Sequence, residues 1–167
     1  MKKLIFILLT LFFLFYLTAC HIYSFTGASI PPEVKTFSVK YFPNLATLGP
    51  PTLSQTFTES LKDRFLSQTS LKMVSKGGDL SIEGNISNFS TSPTAISADK
   101  AQKNRLSVTV YVKFSNKFNE KQDFETSFTR YSDYDSKVNL TQVQDELLKS
   151  IIDELVDDIF NKSVVNW

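Results

Sequence analysis

A chain of 167 residues carrying 18 Lys and Arg against 17 Asp and Glu has a formal charge of +1, too small to generate the long-range field that nucleic acid binding requires. Its single cysteine excludes an internal disulfide and dithiol redox chemistry. Fifteen Phe and six Tyr beside only five Gly and six Pro describe a chain with ample apolar surface to bury, and exclude an intrinsically disordered one.

The chain starts with MKKLIFILLTLFFLFYLTA (1–19). Lys2 and Lys3 are followed by an apolar run, Leu4 to Leu17, broken only by Thr10. That run suits the core of a secretory signal and is shorter than the ~20 residues a spanning helix needs. It ends in Leu17-Thr18-Ala19-Cys20, a Leu-small-small-Cys lipobox. The reading is a bacterial lipoprotein signal peptide over 1–19 and a diacylglycerol thioether at Cys20. Three acyl chains on one residue exceed the two signals required for stable membrane attachment. Removing Lys2 and Lys3 changes the formal charge from +1 to −1. Residues 20–33, with Gly27 and Pro31-Pro32, have no period and read as a lipidated tether. Residues 34–167 are expected to form a single domain.

In VKTFSVKYF (34–42), Phe37, Val39 and Tyr41 alternate with Ser38 and Lys40, a strand period. After the turn-rich 44–51, Thr52 and Gln55 have capping-box spacing. Leu53, Phe57, Leu61 and Phe65 then make the stripe of a helix reaching about Ser67. Leu71 to Val74, the turn Lys76-Gly77-Gly78-Asp79, and Leu80, Ile82 and Ile86 read as a hairpin. The alternation slips between Ile86 and Phe89, the mark of a bulge or a strand end. Polar residues 90–103 are expected to be a long loop with room for a binding role.

Leu106, Val108, Val110, Val112 and Phe114 alternate with Arg105, Ser107, Thr109, Tyr111 and Lys113 in the clearest strand of the chain. Residues 123–134 are its partner, with Phe124 and Phe128 turned inward. From Asn139 to about Ser163, Leu140, Val143, Leu147, Ile151, Leu155 and Ile159 make a long helical stripe. Thr141 and Gln144 offer a second capping box, and Asp153, Glu154, Asp157 and Asp158 give an acidic outer face. The predicted fold is α+β, in the order β-α-β-β-β-α, with two helices on one face of a four-stranded, mixed and mostly antiparallel sheet. The other sheet face, with Ser107, Thr109, Tyr111, Lys113, Ser127, Thr129 and Tyr131, is left for solvent or a partner.

Catalytic chemistry finds no home in this pattern. The only histidine, His21, adjoins the acylated cysteine in the tether, and a thioether sulfur is no thiolate ligand for a metal. Asp157 and Asp158 are adjacent on a helix and point about 100° apart, so they do not converge on a substrate. The expectation is no enzyme, no metal and no cofactor beyond the lipid on Cys20. Binding remains. Lys40, Arg105 and Lys113 project from polar strand positions and suit anionic groups such as lipid phosphates. Arg130 has the parity of Phe124 and Phe128, so it joins these cations only if its strand ends or bulges first. The competing reading is an ordinary surface in which the cations pair across strands with Glu125 or Asp123.

Several stretches resemble one family. Cys20 to Gly27 followed by Ile30-Pro31-Pro32 is similar to the start of LptE lipopolysaccharide (LPS)-assembly lipoproteins in their short Bacteroidetes form. The likeness continues through Val34-Lys-Thr-Phe37, Tyr41-Phe42-Pro43-Asn44, Pro51 to Phe57, Arg130-Tyr131 and Asp157 to Lys162. The resemblance implies two helices against a four-stranded sheet and a lipid-anchored location on the periplasmic side of the outer membrane. It also implies a seat as plug and assembly partner inside the LptD β-barrel, with contact to LPS. It does not map LPS-contacting cations onto this chain, so Lys40, Arg105, Lys113 and Arg130 are assigned from geometry alone. The second reading is a free-standing periplasmic lipoprotein that binds an anionic ligand or inhibits a cell-wall enzyme.

Overall fold

The computed structural model describes residues 30–94 and 103–165. The expected signal peptide 1–19, Cys20, His21 and the expected tether up to residue 29 lie outside the described residues, as do 95–102 of the expected loop. In chain order the elements are β1 (Thr36–Val39), α1 (Leu53–Gln68), β2 (Lys72–Met73), β3 (Leu80–Thr94), β4 (Lys103–Asn116), a 3-10 turn (Glu120–Gln122), β5 (Phe124–Asp135) and α2 (Leu140–Val164). The fold is α+β with a mixed sheet of five strands in the order β2-β1-β3-β4-β5. β1 runs parallel to β2 and β3, whereas β3, β4 and β5 are antiparallel neighbours.

The fifth strand is the short segment 72–73, which sequence alone placed in a hairpin with 80–86. No such hairpin forms, because β1 lies between the two. Gly77 turns the chain at φ +67°, a conformation favourable to glycine. Gly78 then passes so close to β1 that a Cβ there would stand 2.5 Å from the Phe37 carbonyl carbon. Asp79 fixes the crossing. Its Oδ2 accepts from Lys35 N at 3.0 Å, Thr36 N at 3.0 Å and Thr36 Oγ1 at 2.9 Å, and its own N–H donates to Thr36 Oγ1 at 3.0 Å. β3 is therefore delivered to the far side of β1.

Along β3 the expected slip is a bulge, not a strand end. Pairing with β4 shifts between Ile86 and Asn88, so Ser87 is the extra residue and Phe89 returns to the core. The strand continues to Thr94, paired with Lys103. Residues 90–94 and 103 of the expected loop are thus strand, extending the pairing of β3 with β4. Thr91, Ser92 and Pro93 are exposed there, whereas Leu106, opposite Thr91, is buried.

β1 departs from its predicted parity at its end. Phe37 and Val39 are buried, but Tyr41 is 60% exposed and Phe42 takes the inward place. Between the pairs Val39↔Ile82 and Asn44↔Ile86 the β1 side has one residue more than β3. Phe42 N donates to Thr58 Oγ1 at 3.1 Å in the interior, and the Phe42 ring meets Phe57 edge-on at 5.1 Å.

Both helices cover the same sheet face. Phe65 of α1 touches Phe37 of β1 at 5.3 Å and Phe160 of α2 at 5.1 Å between ring centroids, tying the three elements together. The predicted α1 stripe, Leu53, Phe57, Leu61 and Phe65, is buried, as is the second half of the α2 stripe, Ile151, Leu155 and Ile159, whereas Leu140, Val143 and Leu147 in its first half are only partly buried. The caps differ from the sequence reading. Thr52 makes no side-chain cap, and α2 starts one turn before Gln144, where Asn139 Oδ1 accepts from Thr141 N at 3.1 Å.

Candidate functional site: the open sheet face

The face opposite the helices is polar because alternate residues of three long antiparallel strands project there. Register aligns them into rows. Lys40, just past β1, pairs with Glu83 of β3. Glu83 stands opposite Lys113 of β4, and Lys113 opposite Glu125 of β5. Lys113 Nζ lies 2.7 Å from Glu125 Oε1, and Tyr111 OH donates to Glu125 Oε2 at 2.7 Å. Charge therefore alternates across four strands, with a shallow depression of about 270 Å³ between Tyr41, Gly84, Asn85 and Tyr111.

A second row lies nearer the hairpin tip. Arg105 donates through Nε and Nη2 to the two carboxylate oxygens of Asp133 at 2.7 and 3.0 Å. Its guanidinium stacks 3.6 Å from the ring centroid of Tyr131, which is half-exposed. Between the rows Thr109 and Thr129 share a hydrogen bond of 2.9 Å. These contacts set the ionisation of the face. The Lys113 hydrogen bond, then Tyr111, holds Glu125 below the usual carboxylate range. Arg105 does the same to Asp133, and Glu125 in turn raises both Lys113 and Tyr111.

Three of the four sequence-selected cations, Lys40, Arg105 and Lys113, do share this face, each already paired with a carboxylate. Arg130 does not. β5 pairs without a break from Phe124 to Asp135, so Arg130 keeps the inward parity of Phe124 and Phe128 and turns toward α2. There it grips Asp158 with two bonds of 2.6 Å and lies 3.8 Å from Glu154. Asp157 meanwhile pairs with Arg64 of α1. The acidic side of α2 is thus more than a solvated face, since it clasps both neighbouring elements. The partner of Lys113 is Glu125, one of the two the sequence offered. Asp123 instead accepts from Asn116 N at 2.7 Å. Glu83, Asp133 and Tyr41 were missed as members of the face. Their parity was readable for Glu83 and Asp133, but not for Tyr41, which is turned outward by the extra residue at the end of β1.

Chemically the face is a rigid array of hydroxyls, amides and paired charges. Among the described residues no group of three or more His, Asp or Glu is placed to hold a metal ion, and no helix is long and apolar enough to cross a membrane.

A family model described as LptE, Lipopolysaccharide-assembly, matches residues 34–163. This chain belongs to the LptE family. The match runs from just before β1 to the last turn of α2, so the LptE domain includes both rows of the open face. LptE is a non-enzymatic lipopolysaccharide-assembly family, and the chain's role lies in LPS assembly. The fold is similar to that of solved structures. One is rare lipoprotein B from Shewanella oneidensis, at 14% identity and TM-score 0.50, covering 74% of this chain and 91% of that one. Another is a hypothetical protein from Chlamydia trachomatis, at 12% identity and TM-score 0.50, covering 80% of this chain and 99% of that one. No curated protein matches the chain in sequence.

Proposed function

We propose that this LptE-family chain is an outer-membrane lipoprotein, anchored by lipid on Cys20 after removal of residues 1–19, that acts with the LptD β-barrel in carrying LPS to the outer leaflet. One observation carries the reading: three long strands present a polar, charge-alternating face that neither helix covers. A barrel lumen is polar, and a face whose charges are already matched enters such a lumen without stranding a bare ion. The face would seat against the barrel, and Lys40, Arg105 and Lys113 would exchange their carboxylates for LPS phosphates. An Arg fork and Lys point charges both suit phosphate. Arg130 would serve the fold instead, from the covered side.

Affinity purification from native membranes in mild detergent is expected to recover a β-barrel in roughly equal amount. Recovery of the chain alone, with LPS export normal after depletion, would instead favour a free-standing periplasmic lipoprotein. The cations are tested by neutralising whole pairs, Lys40→Gln with Glu83→Gln, Arg105→Gln with Asp133→Asn and Lys113→Gln with Glu125→Gln, which leaves no bare ion on the face and should lower LPS retention while the barrel still copurifies. Full LPS retention by that folded variant would remove this face from LPS contact.

A further inference from the structure

The two ends of the sheet differ in how their charges are used. At the end where β1 enters, β3 begins, β4 finishes and α2 stops, six lysines gather: Lys35, Lys72, Lys76, Lys117, Lys121 and Lys162. All six are exposed. Their proximity follows from the ladder. Thr36 pairs with Lys72, Lys72 N donates to Lys35 O at 2.9 Å, and Lys117 N donates to Asp79 O at 2.9 Å. Lys162 Nζ lies 5.0 Å from the ring of Phe124 at the start of β5, and Lys76 and Lys121 lie in the adjoining turns. In contrast to Lys40, Arg105, Lys113 and Arg130, none of the six forms an ion pair with another described residue. The acids at this end are Glu33, Asp79, Glu120 and Asp123. Two of them are occupied, Asp79 by the β1 N–H groups, with a weaker attraction to Lys117, and Asp123 by Asn116 N. Phe118 projects from the turn between β4 and β5 and is 50% exposed, with Lys117 Nζ 6.0 Å from its ring.

The chain also leaves the domain here. Ile30, the first described residue, packs against the core and lines a surface cavity together with Pro31, Lys35, Ser70 and Lys72. Cys20 lies ten residues upstream, a reach of at most about 35 Å when fully extended. Any lipid on Cys20 therefore holds this end, and not the hairpin tip, near the bilayer. Unpaired lysines around a protruding aromatic ring are the chemistry of an anionic interface. Lysines there gain Coulomb attraction, and a ring at headgroup depth buries its apolar face.

We infer that the basic end of the domain docks on the anionic phospholipid headgroups of the leaflet that holds the lipid anchor, with Phe118 entering the interface. The inference rests on the lipoprotein reading for its geometry, but not on LptD or LPS. Docking would fix the basic end of the domain at headgroup depth.

The test uses the full-length lipidated protein carrying Phe118→Trp with Trp167→Phe, so that position 118 holds the sole indole. It is reconstituted in phosphatidylcholine vesicles with or without phosphatidylglycerol. The expected result is blue-shifted emission, quenched by brominated lipid, only where phosphatidylglycerol is present. Adding Lys72→Ser, Lys76→Ser, Lys117→Ser and Lys121→Ser should lower the docked-to-undocked ratio at least roughly tenfold, with flotation and melting temperature unchanged. Identical indole emission on both vesicle types, or an unchanged signal in the variant with all four lysines replaced, overturns the inference. Failure of the anchor reads differently. The protein would then no longer float with neutral vesicles, while salt-sensitive flotation with anionic vesicles would still support the basic end. Flotation with neither overturns both.

Discussion

Asp79 shows how one carboxylate decides a connection. Its three hydrogen bonds to Lys35 and Thr36 hold it ionised, and the bond from Lys35 N leads in lowering it below the ordinary carboxylate value. A group depressed in the folded state contributes stability above its unfolded value of about 3.9, and that contribution disappears as pH falls through the lower folded value. Asp79→Asn should therefore cost about 1–2 kcal/mol at neutral pH and progressively less below about pH 4. Urea unfolding at both ends of that range reads it, and a pH-independent gap between the two proteins would exclude the ionised carboxylate as the cause. Gly84 poses a steric constraint instead. A Cβ there would stand 2.7 Å from the Phe42 ring and press on the Tyr111 carbonyl, so Gly84→Ala should lose about 1–3 kcal/mol in thermal melts.

At the scale of elements, the bulge at Ser87 matters more than its size suggests. Strand parity has a period of two, so one residue decides whether Phe89 lies in the core or in water. Deleting Ser87 should leave Phe89 in the core, because Ile86, Asn88 and Phe89 then alternate in step with Val110, Thr109 and Val108. Deleting Asn88 as well should expel Phe89, losing about 2 kcal/mol of burial, and turn the rest of β3 over. Hydrogen exchange along the rest of β3 should then stay slow in the single deletion and speed up in the double one. Equally fast exchange in both would mean that the bulge itself holds the register. The clasp from β5 to α2 is weaker than its geometry looks. Arg130 and Asp158 are partly solvated, so Arg130→Ala should cost about 1 kcal/mol, reduced by salt in urea titrations. A loss of LPS retention with no change in stability would place Arg130 among the binding cations after all.

At the scale of the whole molecule, the hydrophobic core draws on residues 34–164, with Ile30 and Val165 packed at its margin. A chain from His21 to Trp167 should therefore unfold in one cooperative step, at the same urea midpoint as the lipidated protein. A lower midpoint would mean that the lipid or the tether contributes to the fold. The same layout divides the molecule by direction: helices and core on one side of the sheet, the matched polar face on the other, and lysines without ion pairs at the end where Ile30 packs.

By itself the sequence determined whatever has a local period or a fixed spacing. The lipobox, the two helical stripes, the alternation of β4 and the slip before Phe89 are patterns within a dozen residues, and they sufficed for the α+β class and the LptE resemblance. The tertiary structure decided what depends on which strands become neighbours. It placed β1 between Lys72–Met73 and β3, turned Tyr41 out and Phe42 in, and kept β5 unbroken so that Arg130 faces α2. It also matched each cation of the open face to a carboxylate on the next strand. Periodicity states which side of a strand a residue occupies, but not what lies opposite. That is settled by long-range contacts, such as the Asp79 carboxylate against β1, between residues more than forty positions apart.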